Sequence, residues 1–121
     1  MTARRILVAD DEPRVRQVVS DILGPRFDIE TAESGHDVLR LYHEGQYDLL
    51  ILDAGMRSLS GMEVVTRVRE DGDRIPIILM TGAPEGVPKV GAFAFTYRIQ
   101  LLRKPFGVQD LRSAVDDAVP A

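Results

Sequence analysis

Three short apolar runs constrain the fold of this chain more strongly than any other feature. They occupy residues 6–9, 49–52 and 77–80, and none alternates between apolar and polar positions. A continuous apolar run of this length is typical of a strand that is buried on both faces, as in a parallel sheet. Residues 27–31 and 99–102 follow the same pattern more weakly. The sequence therefore predicts five buried strands.

The stretches between these strands carry helical periodicity. The apolar residues concerned are Val15, Val18, Val19 and Ile22, then Val38, Leu41 and Tyr42, then Val64, Val65 and Val68, and finally Val108, Leu111, Val115 and Val119. Ser60 and Glu63 form a capping-box pattern ahead of the third group. Residues 84–97 are interrupted by Pro84, Gly86, Pro88 and Gly91. Any helix there is expected to be short or irregular.

Strand and helix alternate five times along the chain. This alternation predicts an α/β fold, a doubly wound five-stranded parallel sheet with helices on both faces. Right-handed crossovers leave few topologies, and the flavodoxin-like strand order 2-1-3-4-5 is the most economical. The length of 121 residues fits one compact domain that covers residues 1–121.

Polar side chains follow four of the five predicted strands. Asp10 and Asp11 follow the first strand, Asp53 the third, Thr81 the fourth and Lys104 the fifth. Ligands of open parallel sheets bind at the carboxyl ends of the strands, near the point where strand order reverses. In the predicted order these four strands are neighbours, so the five side chains are expected to converge on one shallow cleft.

Clustered carboxylates repel one another unless a cation joins them. The chain has no cysteine, which excludes a thiolate metal site, and a donor set made only of oxygen favours a hard cation. Mg²⁺ fits best because it binds a few carboxylates and accepts a phosphate oxygen as a further ligand. A carboxylate beside Mg²⁺ can attack phosphorus and form an acyl phosphate. Lys104 would then supply positive charge, and Thr81 would donate a hydrogen bond to a phosphoryl oxygen.

Each of these residues also has a plain structural interpretation. Asp10 and Asp11 could cap a helix, Asp53 could sit in a turn, Thr81 could be structural and Lys104 could be a solvated surface charge. Their coincidence at one sheet edge favours a functional site. The two histidines, His36 and His43, lie on a predicted helix without matching ligands and are interpreted as surface residues.

The order and spacing of five motifs resemble the receiver domains of bacterial two-component response regulators, including chemotaxis regulators. The motifs are residues 6–13 with the acidic pair, residues 47–53 ending in Asp53, Gly61 eight residues later, residues 76–82 around Thr81, and Lys104-Pro105-Phe106. The resemblance covers nearly the whole chain and is highly specific when the motifs are taken together.

The resemblance implies a phosphoacceptor and a metal site. Asp53 would take a phosphoryl group from a sensor histidine kinase or a phosphotransfer protein. Asp10, Asp11 and Asp53, together with the backbone carbonyl of Gly55, would hold Mg²⁺. Asp11 is expected to be the direct ligand of the acidic pair.

The resemblance also implies how the signal leaves the site. Lys104 would bridge Asp53 and the phosphoryl group, and Thr81 would move towards a phosphoryl oxygen. The peptide bond before Pro105 is expected to be cis. The chain would then be a signalling phosphoacceptor that acts on a downstream protein target. It would be no enzyme beyond assisting its own phosphorylation and dephosphorylation.

Four features depart from the family pattern. Arg57 replaces the usual proline four residues after the phosphoacceptor, so this loop is expected to be more mobile, with Arg57 either solvated or touching the phosphoryl group or a partner. Leu101 stands where an aromatic switch residue is usual, and Tyr97 or Phe95 are candidates to substitute for it. The family's Gly-Ala pair lies too early, at residues 91–92, and the fourth helix is interrupted. The chemistry is expected to be intact and the readout atypical.

Several functional classes remain to be separated. The leading hypothesis is a receiver that signals by protein contact, either alone or as part of a longer regulator or hybrid kinase. A degenerate receiver that only binds a partner is the alternative. A small magnesium-dependent phosphohydrolase usually has a second aspartate two residues after its nucleophile, where this chain has Gly55. A flavin-binding domain is disfavoured because the loop after the first strand is acidic.

Charge and hydropathy restrict the location and the partners. The net charge is −4 and the chain has no basic block, so direct binding to nucleic acid is not expected. No apolar run approaches the length of a membrane span, and the amino terminus carries no signal-peptide core. A cytoplasmic location is therefore expected.

Overall fold

The computed structural model describes residues 4–82 and 87–119. Five strands and five helices alternate along them. The strands are β1 (Arg5–Ala9), β2 (Asp28–Ala32), β3 (Leu49–Asp53), β4 (Ile77–Thr81) and β5 (Gln100–Arg103). The helices are α1 (Pro13–Leu23), α2 (Gly35–Glu44), α3 (Gly61–Glu70), α4 (Val87–Tyr97) and α5 (Val108–Ala118).

The strands form one parallel sheet in the order β2-β1-β3-β4-β5, which confirms the predicted topology. The register aligns the carboxyl ends of the strands. Ala9 pairs with Leu52, Asp53 pairs with Met80, and Thr81 pairs with Arg103. The residues that follow β1, β3, β4 and β5 therefore emerge at one edge of the sheet.

The central strands β1, β3 and β4 are covered on both faces, which explains why their apolar runs do not alternate. The edge strands β2 and β5 are only partly buried, so the prediction of five buried strands is wrong for these two. On one face, Leu7, Leu50 and Leu79 pack with residues of α2, α3 and α4. On the other face, alternate strand residues pack with α1 and α5; they include Ile6, Val8, Leu49, Ile51, Ile78 and Met80. Successive side chains of a strand point to opposite faces, so a strand between two helical layers needs apolar residues at every position.

The start of α3 agrees with the sequence prediction, whereas the buried faces of α1 and α5 agree with it only in part. Ser60 Oγ accepts a hydrogen bond from the Glu63 N–H at 3.1 Å, and Glu63 accepts one from the Ser60 N–H at 3.3 Å, so the capping box is confirmed. By contrast, Val18 and Val108 are 42% and 47% exposed, although both share the helical spacing of buried neighbours. The buried stripes of α1 and α5 are therefore narrower than the sequence pattern.

The expectation of a short or irregular fourth helix is wrong for the described residues. α4 has 11 residues, as many as α1. Pro88 falls in its first turn, where a missing N–H removes no helical hydrogen bond. Gly91 lies inside α4. The helix tolerates this glycine because Val90 and Ala94 are buried and pack one face of α4 against the core. Pro84 and Gly86, on which the expectation also rested, lie outside the described residues.

Within residues 4–82 and 87–119, every helix is too short or too polar to cross a lipid bilayer.

Candidate functional site

Three carboxylates converge at the carboxyl edge of the sheet. Asp53 is the last residue of β3, and Asp10 and Asp11 directly follow the neighbouring strand β1. One carboxylate oxygen from each of the three lies within 4.8 Å of the other two. The structure therefore brings together the acidic residues that the sequence singled out.

Asp10 is fully buried, and both of its carboxylate oxygens accept hydrogen bonds. The backbone N–H of Glu12 donates to Oδ1 at 2.9 Å, and Lys104 Nζ donates to Oδ2 at 2.6 Å. A buried carboxylate requires such partners, because an unpaired charge in the interior is strongly unfavourable. Asp10 is thus held in place before any further ligand arrives.

Lys104 joins two of the three carboxylates. Its Nζ lies 2.6 Å from Asp10 Oδ2 and 3.0 Å from Asp53 Oδ1. Its backbone N–H donates to the Thr81 carbonyl at 2.8 Å, which continues the pairing of β5 with β4 beyond the last strand residue. Burial alone would lower the pKa of Lys104, but the hydrogen bonds to Asp10 and Asp53 outweigh it and raise the pKa. The peptide bond between Lys104 and Pro105 is cis, as expected.

The Asp53 side chain is 13% exposed. Burial raises the pKa of its carboxyl group, the hydrogen bond from Lys104 lowers it, and the nearby charge of Asp10 raises it again. The net effect is a pKa above the ordinary value for aspartate. Three carboxylates share one ammonium group here, so the site has an excess of negative charge that a further cation would offset.

Asp11 is the most accessible of the three aspartates. Its carboxylate faces Arg57, whose Nε lies 3.8 Å from Asp11 Oδ2. The Arg57 side chain is 91% exposed, so this ion pair lies in solvent and contributes little to stability. Arg57 is thus mainly solvated, and its ion pair is with Asp11 of the acidic cluster.

Thr81 and Gly55 lie at the same edge. Asp53 pairs with Met80, so Thr81 lies one residue further along the adjacent strand, where it is buried. Gly55 is exposed two residues after Asp53. Their expected roles, a hydrogen bond to a phosphoryl oxygen and a carbonyl ligand to the metal, stay predictions.

Gly61 explains how α3 can begin so close to Asp53. A Cβ atom at this position would lie 2.1 Å from the carbonyl oxygen of Asp53. No side chain fits that distance, so only glycine allows the first turn of α3 to contact the end of β3. The motif glycine therefore has a steric function at the end of the strand that carries Asp53.

Arg16 is a supporting residue that sequence reasoning missed. Its guanidinium donates to the backbone carbonyl of Asp10 at 2.6 Å and lies 3.6 Å from a carboxylate oxygen of Glu33. It thereby ties the loop after β1 to α1 and to the residue after β2. The sequence does place Arg16 next to Val15, in the first part of a helix with an apolar face. This position was the only indication that Arg16 could contact the loop after β1.

The aromatic candidates for readout occupy different environments. Leu101 is half-buried against the core on the α4 side of the sheet, where Tyr97 is also half-buried. The Tyr97 ring lies 4.6 Å from that of Phe93, whereas Phe95 is 87% exposed. His36 and His43 are exposed, in agreement with their interpretation as surface residues.

The donor set fits a hard divalent cation. It consists of three carboxylates, and the two histidines lie outside it among the exposed residues of α2. Oxygen ligands of this kind are those that Mg²⁺ prefers over softer metals.

Comparison with known proteins identifies the family of this chain. The sequence model described as the response regulator receiver domain matches residues 6–116. The Regulatory protein AtoC of Escherichia coli (strain K12) is 33% identical over an alignment of 124 residues, which covers 98% of this chain and 26% of AtoC. The Sensor histidine kinase TmoS of Ectopseudomonas mendocina is 31% identical over 117 residues, which is 95% of this chain and 12% of TmoS.

A solved structure of a response regulator protein has the same fold as this chain. The response regulator protein TrrA of Thermotoga maritima, crystallised in complex with Mg(2+)-BeF, has 32% identity and a TM-score of 0.85. The superposition covers 96% of this chain and 99% of TrrA. In contrast, the chain spans only 26% of AtoC and 12% of TmoS, so the likeness to these two concerns one part of each.

Proposed function

The chain belongs to the response regulator receiver domain family, and on that premise we propose that Asp53 accepts a phosphoryl group in a reaction that requires Mg²⁺. One observation carries the proposal. Lys104 Nζ lies within 3.0 Å of carboxylate oxygens of both Asp53 and Asp10, with Asp11 beside them. Receiver domains are signalling modules, and this arrangement contains both a nucleophile and the charges that phosphoryl transfer requires.

The proposed step transfers the phosphoryl group from a donor to Asp53. A carboxylate oxygen of Asp53 attacks phosphorus and forms a new phosphorus–oxygen bond. The bond between phosphorus and the donor's leaving group breaks, and its electron pair goes to that group. Lys104 stays beside Asp53 and faces the negative charge that arrives with the phosphoryl oxygens.

The metal would be held by Asp10, Asp11 and Asp53, together with the carbonyl of Gly55. Asp11 is the direct ligand of the acidic pair in this proposal, because both carboxylate oxygens of Asp10 already accept hydrogen bonds. When bound, Mg²⁺ supplies the positive charge that offsets the clustered carboxylates and the phosphoryl oxygens.

Thr81 is the proposed link between the site and the rest of the domain. It is buried at the end of β4, adjacent in the sheet to the strand that carries Asp53. A hydrogen bond from its hydroxyl to a phosphoryl oxygen would move Thr81, at the end of β4, towards the site. Leu101 offers no hydroxyl or ring to follow that movement, so the readout depends on other residues of the α4 side.

The partners and setting follow from the family. A sensor histidine kinase or a phosphotransfer protein would supply the phosphoryl group, and a downstream protein would read the changed surface. Residues 1–121 would act as a single receiver domain in the cytoplasm, without direct binding to nucleic acid or membrane. The domain would assist its own phosphorylation and dephosphorylation but turn over no separate substrate, since Gly55 stands where a phosphohydrolase has its acid/base aspartate.

Intact mass spectrometry tests the proposal. The native chain, incubated with acetyl phosphate and Mg²⁺, is expected to gain one phosphoryl group, whereas Asp53→Asn gains none. Chelation of the metal with EDTA should abolish the adduct in the native chain. If the native chain gains no phosphoryl group from either acetyl phosphate or a phosphorylated histidine donor, the degenerate, partner-binding alternative replaces the proposal.

A further inference from the structure

A second groove lies at the opposite end of the domain, near the amino ends of β4 and β5. It has a volume of about 540 Å³ and lies between the ends of α3 and α4. Its lining includes three arginines and one aspartate, which are Arg69, Arg74, Arg98 and Asp73. Thr96 and Tyr97, at the end of α4, also line it. We call it the arginine groove.

Among the residues that the structure describes, the three arginines of this groove lack ion-pair partners, as do several arginines outside it. Arg5, Arg26 and Arg40, by contrast, each lie within 4 Å of a carboxylate oxygen. For the groove arginines, the described residues provide no carboxylate at that distance; the guanidinium of Arg69 instead donates to the backbone carbonyl of Asp73 at 2.9 Å. Burial lowers the pKa of Arg69, and the charge of Arg74 lowers it further. The groove therefore gathers like charges that an anion would compensate.

Asp73 offsets only one of these three positive charges, and its carboxylate accepts hydrogen bonds from uncharged donors instead of pairing with an arginine. The backbone N–H of Ile75 donates to Oδ1 at 2.9 Å, and the hydroxyl of Tyr42 donates to Oδ2. Three guanidinium groups against one carboxylate leave the lining with a net charge of +2. This is unusual in a chain whose net charge is −4.

The backbone of Arg98 gives an independent indication. Arg98 follows α4 with φ of +56°, in the left-handed region, and the next residue, Ile99, donates its N–H to the Ala94 carbonyl at 3.0 Å. Glycine is favoured at this position after a helix because a side chain makes the conformation costly. An arginine here is unfavourable for the backbone and places a guanidinium in the groove.

From these observations we propose that the arginine groove binds a small phosphate-bearing anion with two or more negative charges. Guanidinium groups form paired, charge-assisted hydrogen bonds with phosphate oxygens, which suits a groove with three of them. The charge is confined to a single groove rather than spread along a face, so a small anion fits better than an extended nucleic acid. The proposal is independent of phosphorylation at Asp53, which lies at the other end of the sheet.

Calorimetric titration with inorganic pyrophosphate, in buffer freed of divalent cations and without added chelator, tests the proposal. One saturable site is expected, with amide resonance shifts concentrated at Gly72, Thr96 and Arg98. Arg98→Gly should weaken binding by about tenfold while keeping the melting temperature, because glycine satisfies the backbone and only the guanidinium is lost. Arg112→Gln, which removes an exposed arginine of α5, is the matched control and should bind as the native chain does.

Three results would overturn the proposal. The first is an absence of saturable binding at millimolar pyrophosphate. The second is equal affinity in the native chain, Arg98→Gly and Arg74→Gln. The third is tighter binding of a short polyglutamate peptide than of pyrophosphate, which would assign the groove to an acidic protein segment instead.

Discussion

The ammonium group of Lys104 lies 2.6 Å from the carboxylate of Asp10, which is fully buried. This contact is shorter than the 3.0 Å between Lys104 and Asp53, the proposed phosphoacceptor. Lys104 is therefore anchored by a residue other than the proposed phosphoacceptor, and on the proposed function it would stay beside Asp53 when the charge of that side chain changes. Asp10 in this sense positions Lys104.

Removal of Lys104 should destabilise the metal-free domain. Lys104→Ala leaves the buried carboxylate of Asp10 without a cation, which typically costs about 3 kcal/mol. Urea denaturation in metal-free buffer measures the free energy of unfolding. Lys89→Ala, at an exposed site of α4, serves as the control. A loss below about 0.5 kcal/mol in Lys104→Ala, within the range of ordinary surface substitutions, would contradict the anchoring role of Asp10.

The raised pKa of Asp53 predicts how stability depends on pH in metal-free buffer. Burial is the main cause of the shift, so folded Asp53 keeps its proton at pH values where the unfolded chain has lost it. The contribution of Asp53 to the free energy of unfolding therefore falls as pH rises from about 4 and levels off above the folded pKa. Asp53→Asn removes this penalty.

The stability gained by Asp53→Asn should accordingly grow with pH across that window. Urea denaturation of both chains at a series of pH values measures it, and Asp117→Asn on the exposed side of α5 controls for the loss of one surface charge. A gain that stays constant or shrinks as pH rises would show that the pKa of Asp53 is not raised.

Millimolar Mg²⁺ should raise the melting temperature, because a ligand that binds only the folded state stabilises it. Arg57 is expected to compete weakly with the metal, since its Nε lies 3.8 Å from Asp11 Oδ2. Arg57→Ala should therefore strengthen apparent Mg²⁺ binding by about twofold, the scale of an exposed ion pair. Melting temperatures across a Mg²⁺ titration give the comparison, with Arg112→Ala as the control. Weaker binding in Arg57→Ala would indicate that Arg57 organises the loop rather than competing.

Two glycines should respond in opposite directions to alanine. Gly61→Ala puts a Cβ 2.1 Å from the Asp53 carbonyl oxygen and should destabilise the fold by about 1–3 kcal/mol. A Cβ at Gly91 meets no atom within 4 Å, so Gly91→Ala inside α4 should stabilise it by about 0.5–1 kcal/mol. Urea denaturation of both variants tests the pair. Equal effects would mean that the contact between α3 and the end of β3 is easily relaxed.

The strands and the candidate site were predictable because both depend on burial at strand positions. The central strands β1, β3 and β4 are covered on both faces, so their interiors are apolar and their polar residues stand at the strand ends. Asp10, Asp53 and Lys104 could therefore be placed at one sheet edge from their distance to the apolar runs, and the structure brings them together.

Other features depend on where a helix begins and on which way its side chains point, and could not be predicted from the spacing of apolar residues. The regularity of α4 depends on Pro88 falling in its first turn, which requires the start of the helix to be known. Arg16 donates to the Asp10 carbonyl across the turn between β1 and α1, and the direction of its side chain is not visible in the sequence. Val18 belongs to the same apolar repeat as Val19, but only Val19 is buried against the sheet, and Val18 remains exposed.

The most direct test of the central claim identifies which carboxylate carries the phosphoryl group. Asp10, Asp11 and Asp53 have oxygens within 4.8 Å of one another, so an intact mass alone does not distinguish them. Reduction of the acyl phosphate with borohydride converts the modified aspartate to homoserine, which peptide sequencing by mass spectrometry then locates. The account predicts homoserine at position 53 and unmodified aspartate at positions 10 and 11. Homoserine at either of those two positions, with Asp53 intact, would contradict it.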